Sequence, residues 1–511
     1  MTKQTFLKGT LILILAGLAT RILGFMNRIV LARVMGKEGV GLYMMAVPTL
    51  ILAITITQLG LPIAISKLVA EANAMNNRAK IKQILVTSLT ITGSISMVFT
   101  IILLILAPIL SEHFFTDSRI FYPLVATLPV IPIIAVSSVI RGYFQGMQNM
   151  KPGAYSQLVE QIVRITLVYI CTSSLLPYGV EYAAAGAMIS SVIGEFASLL
   201  YMFILFKYKK TFDIRNQFLG VLKTSKKTMN ELLQIALPAT GSRLVNATSM
   251  FVEPIIVAQS LAIAGVASGI ATQQYGELVG YALPLLMLPS FITYALSVTL
   301  VPNISEALAE KQFQLIDYRI RQAIRLSLIS GGLPAVLLYL YANPIMTLMY
   351  GDTTGAAFLT FMSPLFIFYY IQGPLTSILQ ALNLAKAAMW NSIIGTVVKI
   401  IVIFALVTQP SFQIMGAAIA ILVGLVIVTL LHYATILKVI PFTIDLKEYL
   451  LIAAASFLSG VITIGLTRLL PMPQSLLLNT LTGIIIITIS YLFLLVLFGL
   501  FKMEDLKLKK N

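Results

Sequence analysis

Ten ionisable side chains interrupt long apolar stretches of this sequence. Six are cations (Arg21, Arg28, Arg141, Arg164, Arg243 and Lys399) and four are acids (Glu160, Glu195, Glu253 and Glu277). A charge at the centre of a bilayer costs about 2.5–3.5 kcal/mol even on a lenient scale, so such residues face a cavity or a partner. Arg21 falls twelve residues into the first apolar stretch, about 18 Å along a helix and close to the midplane. Arg28, seven residues on, returns to the same face two turns further, and Arg33 carries the series to the far mouth. Arg243 lies at comparable depth in the seventh stretch, the first of a second lobe. A ladder of cations with another cation opposite is a way to hold an anion in transit. The competing reading pairs Arg21 and Arg28 with Glu253 and Glu277 in buried structural contacts, and Arg28 alone could snorkel.

The other charges divide by spacing. Glu160 and Arg164 are four residues apart on one helix face and are expected to pair with each other. Arg141 is close enough to a cytoplasmic helix end to snorkel. Glu253, beside Pro254, and Glu277, in Gln-Gln-Tyr-Gly-Glu, are candidates for a proton or Na⁺ site. No catalytic constellation is visible. There is no Gly-rich Lys-Ser/Thr phosphate loop. With only His113, His432 and Cys171 available, no His-rich metal site and no internal disulfide is expected. The chain therefore reads as a non-enzyme without a cofactor, driven by an ion gradient, the membrane potential or the gradient of its own substrate.

The elements that must position these charges follow from composition. The 511 residues are 58% hydrophobic and 11% charged, where a soluble chain carries roughly a quarter charged residues. That excludes an ordinary cytosolic enzyme, a disordered scaffold and a secreted disulfide protein. Fourteen apolar stretches bounded by charges or turn residues are predicted as spans: 9–33, 42–66, 84–110, 121–146, 154–176, 182–206, 230–260, 272–301, 323–349, 356–382, 388–408, 413–437, 449–467 and 475–501. Lys3 and Lys8 precede the first, which runs on without a small-residue cleavage site and reads as a retained helix. If those lysines are cytoplasmic, alternate loops place 25 of the 35 Lys and Arg residues inside, and only Arg33, Lys37, Arg119 and Arg468 outside. One span too many or too few would scramble that asymmetry, so fourteen spans with both termini cytoplasmic are expected. The net charge of +16 is then read as topology determinants meeting anionic lipid, with no nucleic-acid partner.

The chain also repeats itself. At a register of 235 residues Pro129 falls on Pro364, Gln145 on Gln380, Gln148 on Asn383, Lys151 on Lys386, Tyr155 on Trp390 and Arg164 on Lys399. With five residues lost from the second copy, Gly186 and Gly194 meet Gly416 and Gly424. Spans 1–6 thus pair with spans 7–12, and six being even, both halves cross the bilayer in the same sense. The expected organisation is an N-lobe at 1–206, a basic cytoplasmic linker at 207–229, a C-lobe at 230–437, and spans 13–14 with a tail at 438–511. Prolines 48, 62, 129, 132, 284, 289, 364 and 374 mark interrupted helices and hence a cavity or hinge.

Thr-Arg-Ile-Leu-Gly-Phe (20–25), Ala-Arg-Val-Met-Gly (32–36), Gly-Val-Gly-Leu-Tyr (39–43) and Gln-Leu-Gly-Leu-Pro-Ile-Ala-Ile-Ser-Lys (58–67) resemble the polysaccharide-exporter branch of the MOP flippase superfamily, which is related to the MurJ-type lipid II flippases. The resemblance implies an all-α polytopic membrane protein with fourteen spans: two six-helix lobes in parallel pseudo-repeat plus two C-terminal helices. It also implies export of an undecaprenyl-pyrophosphate-linked saccharide, a peptidoglycan precursor for the spore cortex, from inner to outer leaflet by alternating access. The required arginine of the Arg-x-Leu-Gly-Phe pattern falls on Arg21. The second required position, three after the Gly, is Asn27 here, with Arg28 beside it. The family's eighth-helix arginine has no counterpart, since that stretch offers Glu277, and Arg243 is assigned as the opposing cation from its depth. The family's last two helices line a groove for the lipid tail, which suits spans 13 and 14. Expected partners are the lipid-linked substrate, membrane lipids, H⁺ or Na⁺, and cell-wall synthases. The alternatives are a cation-coupled drug or small-molecule antiporter of the same superfamily and a non-transporting scaffold for cell-wall synthesis.

Overall fold

The computed structural model describes residues 3–209, 226–440 and 446–500, with side chains before Gly17 and at 209, 238, 239 and 242 excepted. The expected basic linker at 207–229 falls largely outside the described residues, as does the tail beyond 500. Among the described residues every regular element is helical. By contact the chain divides into two compact units, residues 1–276 and 277–511. The first contains α1 Lys3–Gln58, α2 Leu61–Ala74, α3 Arg78–Ile109, α4 Phe121–Thr127, α5 Val130–Gly146, α6 Lys151–Leu175, α7 Val180–Lys209, α8 Lys226–Ile263 and α9 Ser268–Tyr275. The second opens one residue into a π-helical turn, Gly276–Ala282, followed by α10 Leu283–Met287, α11 Ser290–Ala309, α12 Phe313–Leu340, α13 Ala342–Tyr350, α14 Ala356–Met362 and α15 Ile367–Ala381. It ends with α16 Ala385–Val407, α17 Ile414–Val439, α18 Leu446–Leu469 and α19 Leu476–Leu497.

Twelve helical runs among the described residues are long and apolar enough to cross a bilayer, and α14 with α15, bent by 59°, make a thirteenth. One of the twelve, Gly17–Ala74, is 58 residues long. That is about 87 Å of helix against a hydrocarbon core of about 30 Å, enough to cross twice. It is broken at Gly36, whose φ of 64° with ψ −176° only glycine adopts without strain. Divided there, the runs number fourteen, in agreement with the sequence.

The prolines separate into two kinds. Pro62 and Pro284 begin α2 and α10, and Pro129 and Pro289 are the N-cap residues of α5 and α11. At a helix start the missing N–H costs nothing. Pro364 lies in the break between α14 and α15. Pro48 and Pro374 instead sit within continuous helices, so two of the expected interruptions do not form.

The internal repeat is written in the backbone as well as the side chains. Asn76 and Lys311 have φ of 51° and 57°, Thr116 and Gly351 61° and 97°, and Gln148 and Asn383 58° and 61°. Each pair is 235 residues apart, so three turns recur in register. The cores recur too. Ile65, Val69, Ile81, Leu85, Ile140, Tyr143 and Phe144 are buried together in the first unit. At the same register Leu300, Ile304, Ile316, Ile320, Leu375, Ile378 and Leu379 form the core of the second.

Two pairs of close helix approaches follow the same rule. A Cβ on Gly186 would stand 2.7 Å from the Cys171 carbonyl oxygen, and one on Gly416 would stand 2.8 Å from the Leu406 Cβ. A Cβ on Gly194 would meet Glu160 O at 3.0 Å and Arg164 Cβ at 3.3 Å; one on Gly424 would meet Gly395 O at 3.5 Å and Lys399 Cβ at 3.2 Å. Lipid tails are as apolar as leucine, so helices in a membrane gain by close packing of small residues rather than by leaving water. The pairs α6–α7 and α16–α17 both use that device. Gly194→Val and Gly424→Val should each destabilise the protein by about 1–3 kcal/mol through overpacking. Gly465, where an added Cβ would have no neighbour within 4 Å, should accept alanine with no loss. Thermal midpoints in detergent check all three.

Candidate anion-binding site

The first arm of α1, before Gly36, carries Arg21, Arg28 and Arg33. Arg21 and Arg33 are exposed and Arg28 is half-buried. Gly24 lies three residues after Arg21 and four before Arg28, on the same face. A Cβ there would be 3.9 Å from Gln161 Oε1 of α6. The Arg21–Arg28 face therefore adjoins α6. Asn27, where the MurJ-type pattern has its second arginine, is buried, and its Oδ1 has no hydrogen-bond partner.

Arg243 is exposed on α8, but α8 belongs to the first unit and packs against α1. The sequence places this helix at the head of a second lobe, with Arg243 facing Arg21 from across. In the structure both arginines stand on neighbouring helices of one unit. The reason is visible in its fastenings. Lys80 Nζ, at the start of α3, donates to Glu231 Oε2 at 2.5 Å and to Thr228 Oγ1 at 3.0 Å, both on the first turns of α8. Leu232 and Ala236 then enter the core formed by α2, α3, α5 and α7.

A second fastening lies at the other end. Arg119 donates to Glu38 Oε1 at 2.6 Å and, through Nε and Nη2, to the two carboxylate oxygens of Asp117 at 3.0 and 2.9 Å. Thr272 Oγ1, on α9, donates to Asp117 Oδ2 at 2.8 Å. Gln273 Nε2 reaches Glu38 Oε2 at 3.3 Å. From the sequence Arg119 is only an external-loop charge; nothing in its spacing foretells this network, whose members are up to 235 residues apart. Burial alone would raise the carboxyl of Asp117, but the hydrogen bonds from Arg119 and Thr272 outweigh it and hold the group below its ordinary value.

The acids proposed from sequence for ion coupling fall in different units. Glu253 is half-buried on α8, within electrostatic reach of Tyr275 on α9. Glu277 is half-buried in the π-helical turn that opens the second unit. Such turns are frequent at functional sites. Among the described residues no group of three or more His, Cys, Asp or Glu side chains is placed to hold a metal ion. A cavity of about 560 Å³ in the second unit is lined by Tyr339, Asn343, Thr360, Phe361, Pro364 and two alanines, without a charged group.

The expected Glu160–Arg164 ion pair is present, but it is part of something larger. Glu195 of α7 follows Gly194, where a Cβ would stand 3.0 Å from the Glu160 carbonyl oxygen and 3.3 Å from Arg164 Cβ. Four atoms of this cluster are sealed from solvent without a partner: Arg141 Nε, Gln161 Oε1, Arg164 Nε and Glu195 Oε2. Arg141 thus keeps its Nε inside, where the sequence expects it to snorkel.

The geometry is joined by comparison with known proteins. The family model described as polysaccharide biosynthesis protein matches residues 6–308, and the MatE model matches 277–405. Stage V sporulation protein B of Bacillus subtilis (strain 168) is 56% identical over 507 residues, covering 99% of this chain and 98% of that protein. Lipid II flippase MurJ of the same organism is 26% identical, over 77% of this chain and 76% of its own length. A solved structure of lipid II flippase MurJ in an inward closed conformation superposes with a TM-score of 0.72 at 17% identity, covering 95% of this chain and 98% of that one.

The folded Asp117 value lies below the unfolded one, so its stabilisation is complete above about pH 4 and is lost as pH falls through the depressed value. Asp117→Asn should therefore lower the thermal midpoint at neutral pH. Its difference from wild type should shrink on acidification below about pH 4, as read by thermal denaturation across a pH series.

Proposed function

The chain belongs to the polysaccharide biosynthesis protein family, within the MOP flippase superfamily, and on that premise we propose that it exports an undecaprenyl-pyrophosphate-linked saccharide from the inner to the outer leaflet. The cargo we favour is a peptidoglycan precursor for the spore cortex. Near-full-length likeness to stage V sporulation protein B supports that choice. In this reading the protein lies in the cell membrane with both termini cytoplasmic, its halves at 1–206 and 230–437 act as the repeat units, and cell-wall synthases receive its product.

The observation that carries the mechanism is Arg21. It lies deep in α1, exposed on the surface of an apolar helix, in the Thr-Arg-Ile-Leu-Gly-Phe motif. A guanidinium in that position is costly unless it meets an anion, and pyrophosphate is matched to it by paired charge-assisted hydrogen bonds. Arg28 and Arg33 extend the path along the same helix, and Arg243 adds a cation from the adjacent α8. The headgroup enters from the cytoplasmic side, is held at Arg21, and is released outside while its lipid tail stays in the bilayer. With an inside-negative potential, each net negative charge moved outward is favoured by about 2.3 kcal/mol per 100 mV.

Removing a charged hydrogen-bond donor costs about 1.5–3 kcal/mol, so Arg21→Ala should slow transfer of labelled lipid-linked precursor in proteoliposomes by about 10- to 100-fold. Equal transfer by correctly inserted Arg21→Ala protein would reject the site. The MatE match over 277–405 favours a second reading, a cation-coupled antiporter centred on Glu277. In that case Glu277→Gln abolishes uptake of a cationic dye against a proton or Na⁺ gradient while Arg21→Ala spares it.

A further inference from the structure

The internal repeat supplies a control for the cavity of the second unit. Its lining runs from the end of α12 through the start of α13 to α14. At the 235-residue register the same places in the first unit hold Leu104, Pro108, Phe121, Tyr122, Val125 and Ala126. There two rings occupy the corner. Phe121 and Tyr122 meet edge to face with centroids 5.7 Å apart, and Tyr122 rests on Tyr182 at 4.7 Å. In the second unit Ala356 and Ala357 stand in place of those two rings, and a cavity of about 560 Å³ opens beside them. A core normally closes such a space with side chains; here it is left open.

The remaining exchanges add polarity. Where the first copy has Leu104, Pro108 and Val125, the second has Tyr339, Asn343 and Thr360. Thr347 and Thr376 give their hydroxyls to the carbonyls four residues back, a common use of threonine in a helix. Among the described residues the hydroxyl of Thr360, the phenol of Tyr339 and the amide of Asn343 make no hydrogen bond to the protein. Hydrocarbon offers such groups nothing, and a surface that met only lipid would keep the apolar lining of the first copy. A space of this size, mostly apolar with a few polar groups, has the ordinary form of a small-molecule site. Its lining carries no charged group, so a buried ion would find no counter-charge there. The exposed rings of Tyr339 and Phe361 instead offer flat apolar faces beside one hydroxyl and one amide.

We infer that this cavity binds one uncharged sugar ring of the saccharide cargo, its C–H faces against Tyr339 and Phe361 and its polar rim answered by Asn343 and Thr360. The match is chemical. A pyranose is apolar on its faces, where C–H groups point outward, and polar around its edge, where its hydroxyl and amide substituents lie. The choice of ligand rests on the cargo proposed above, whereas the place of the site rests on the cavity alone. In the proposed topology α12 ends and α14 begins at the outer side of the membrane, so the ring is held there once it has crossed. The two parts of the cargo then meet different chemistry: guanidinium groups of α1 for the pyrophosphate, aromatic and neutral polar groups of the second unit for the sugar.

Saturation-transfer difference NMR on the full chain in lipid nanodiscs, free of sugar-headed detergent, tests the site with the methyl glycoside of N-acetylglucosamine as probe. Wild type should transfer saturation to the sugar ring in a saturable titration. Ala357→Tyr restores the first copy's ring at an exposed position and should abolish the signal. Thr360→Val, which keeps the shape and removes the hydroxyl, should weaken binding by about 2- to 10-fold. Gly465→Ala, where the added Cβ has no neighbour within 4 Å, should bind as wild type does. Thermal midpoints near wild type certify folding, and Thr360→Val decides the matter should Ala357→Tyr unfold. Absence of a saturable signal from wild type, the result if lipid chains fill the cavity, overturns the proposal. So does a signal undiminished in folded Ala357→Tyr or in Thr360→Val. Because this readout involves neither transport nor pyrophosphate, failure of the flippase reading would show itself separately, in the Arg21→Ala transfer assay.

Discussion

Hydrocarbon tolerates neither an unpaired backbone amide nor a solitary charge, and that intolerance shapes this molecule at every level. It makes every regular element among the described residues a helix. It also sorts the ionisable groups. Some at the ends of helices meet opposite charges from distant parts of the chain, as Lys80 meets Glu231 and Arg119 meets Glu38. Within spans some are paired, as Arg164 with Glu160, and some are placed on an exposed helix face, as Arg21 and Arg243. The first arrangement neutralises charge inside the protein. The second presents charge at a surface that a ligand can reach.

The fastening of α8 bears on how such a protein moves. Its first turns are tied by Lys80, its body enters the core of the first unit through Leu232 and Ala236, and the following α9 is held by Asp117 through Thr272. The division by contact accordingly falls after Gly276, where a π-helical turn begins, and not in the cytoplasmic linker where the repeat places the boundary. A repeat boundary records how a sequence was built, whereas a contact boundary records which elements travel together. The two descriptions part at α8.

Much of the fold was legible in the residues because hydropathy and charge asymmetry are summed over whole spans, where single exceptions average out. The fourteen spans emerged that way, and the 235-residue register emerged from matched polar, proline and glycine residues. The turns at Asn76/Lys311 and Thr116/Gly351 did not, because a left-handed backbone is kept while its side chain changes type. Proline was a fair guide only where it could begin a helix, and Pro48 and Pro374 are accommodated within one. The Arg21 motif named a candidate residue, but its surroundings were not legible. Depth along a helix says nothing of azimuth, so neither the docking of α8 beside α1 nor the approach of Gly194 to Glu160 could be read from spacing alone.

The difference between the two halves is as informative as their likeness. A duplicated helix pair starts with the same groups in both copies, and each copy keeps what its packing requires. Glycines 186, 194, 416 and 424 are such requirements, since each admits a backbone or side chain where a Cβ would collide or crowd. A basic residue at 164 and 399 is retained as well. The acids at 160 and 195 belong to one copy only, and they sit in the unit that also carries Arg21, Arg28 and Arg33. They accompany Arg141, whose place in the second copy is taken by Thr376, so the acids and the additional arginine are absent together and the charge balance of each copy follows its own cations.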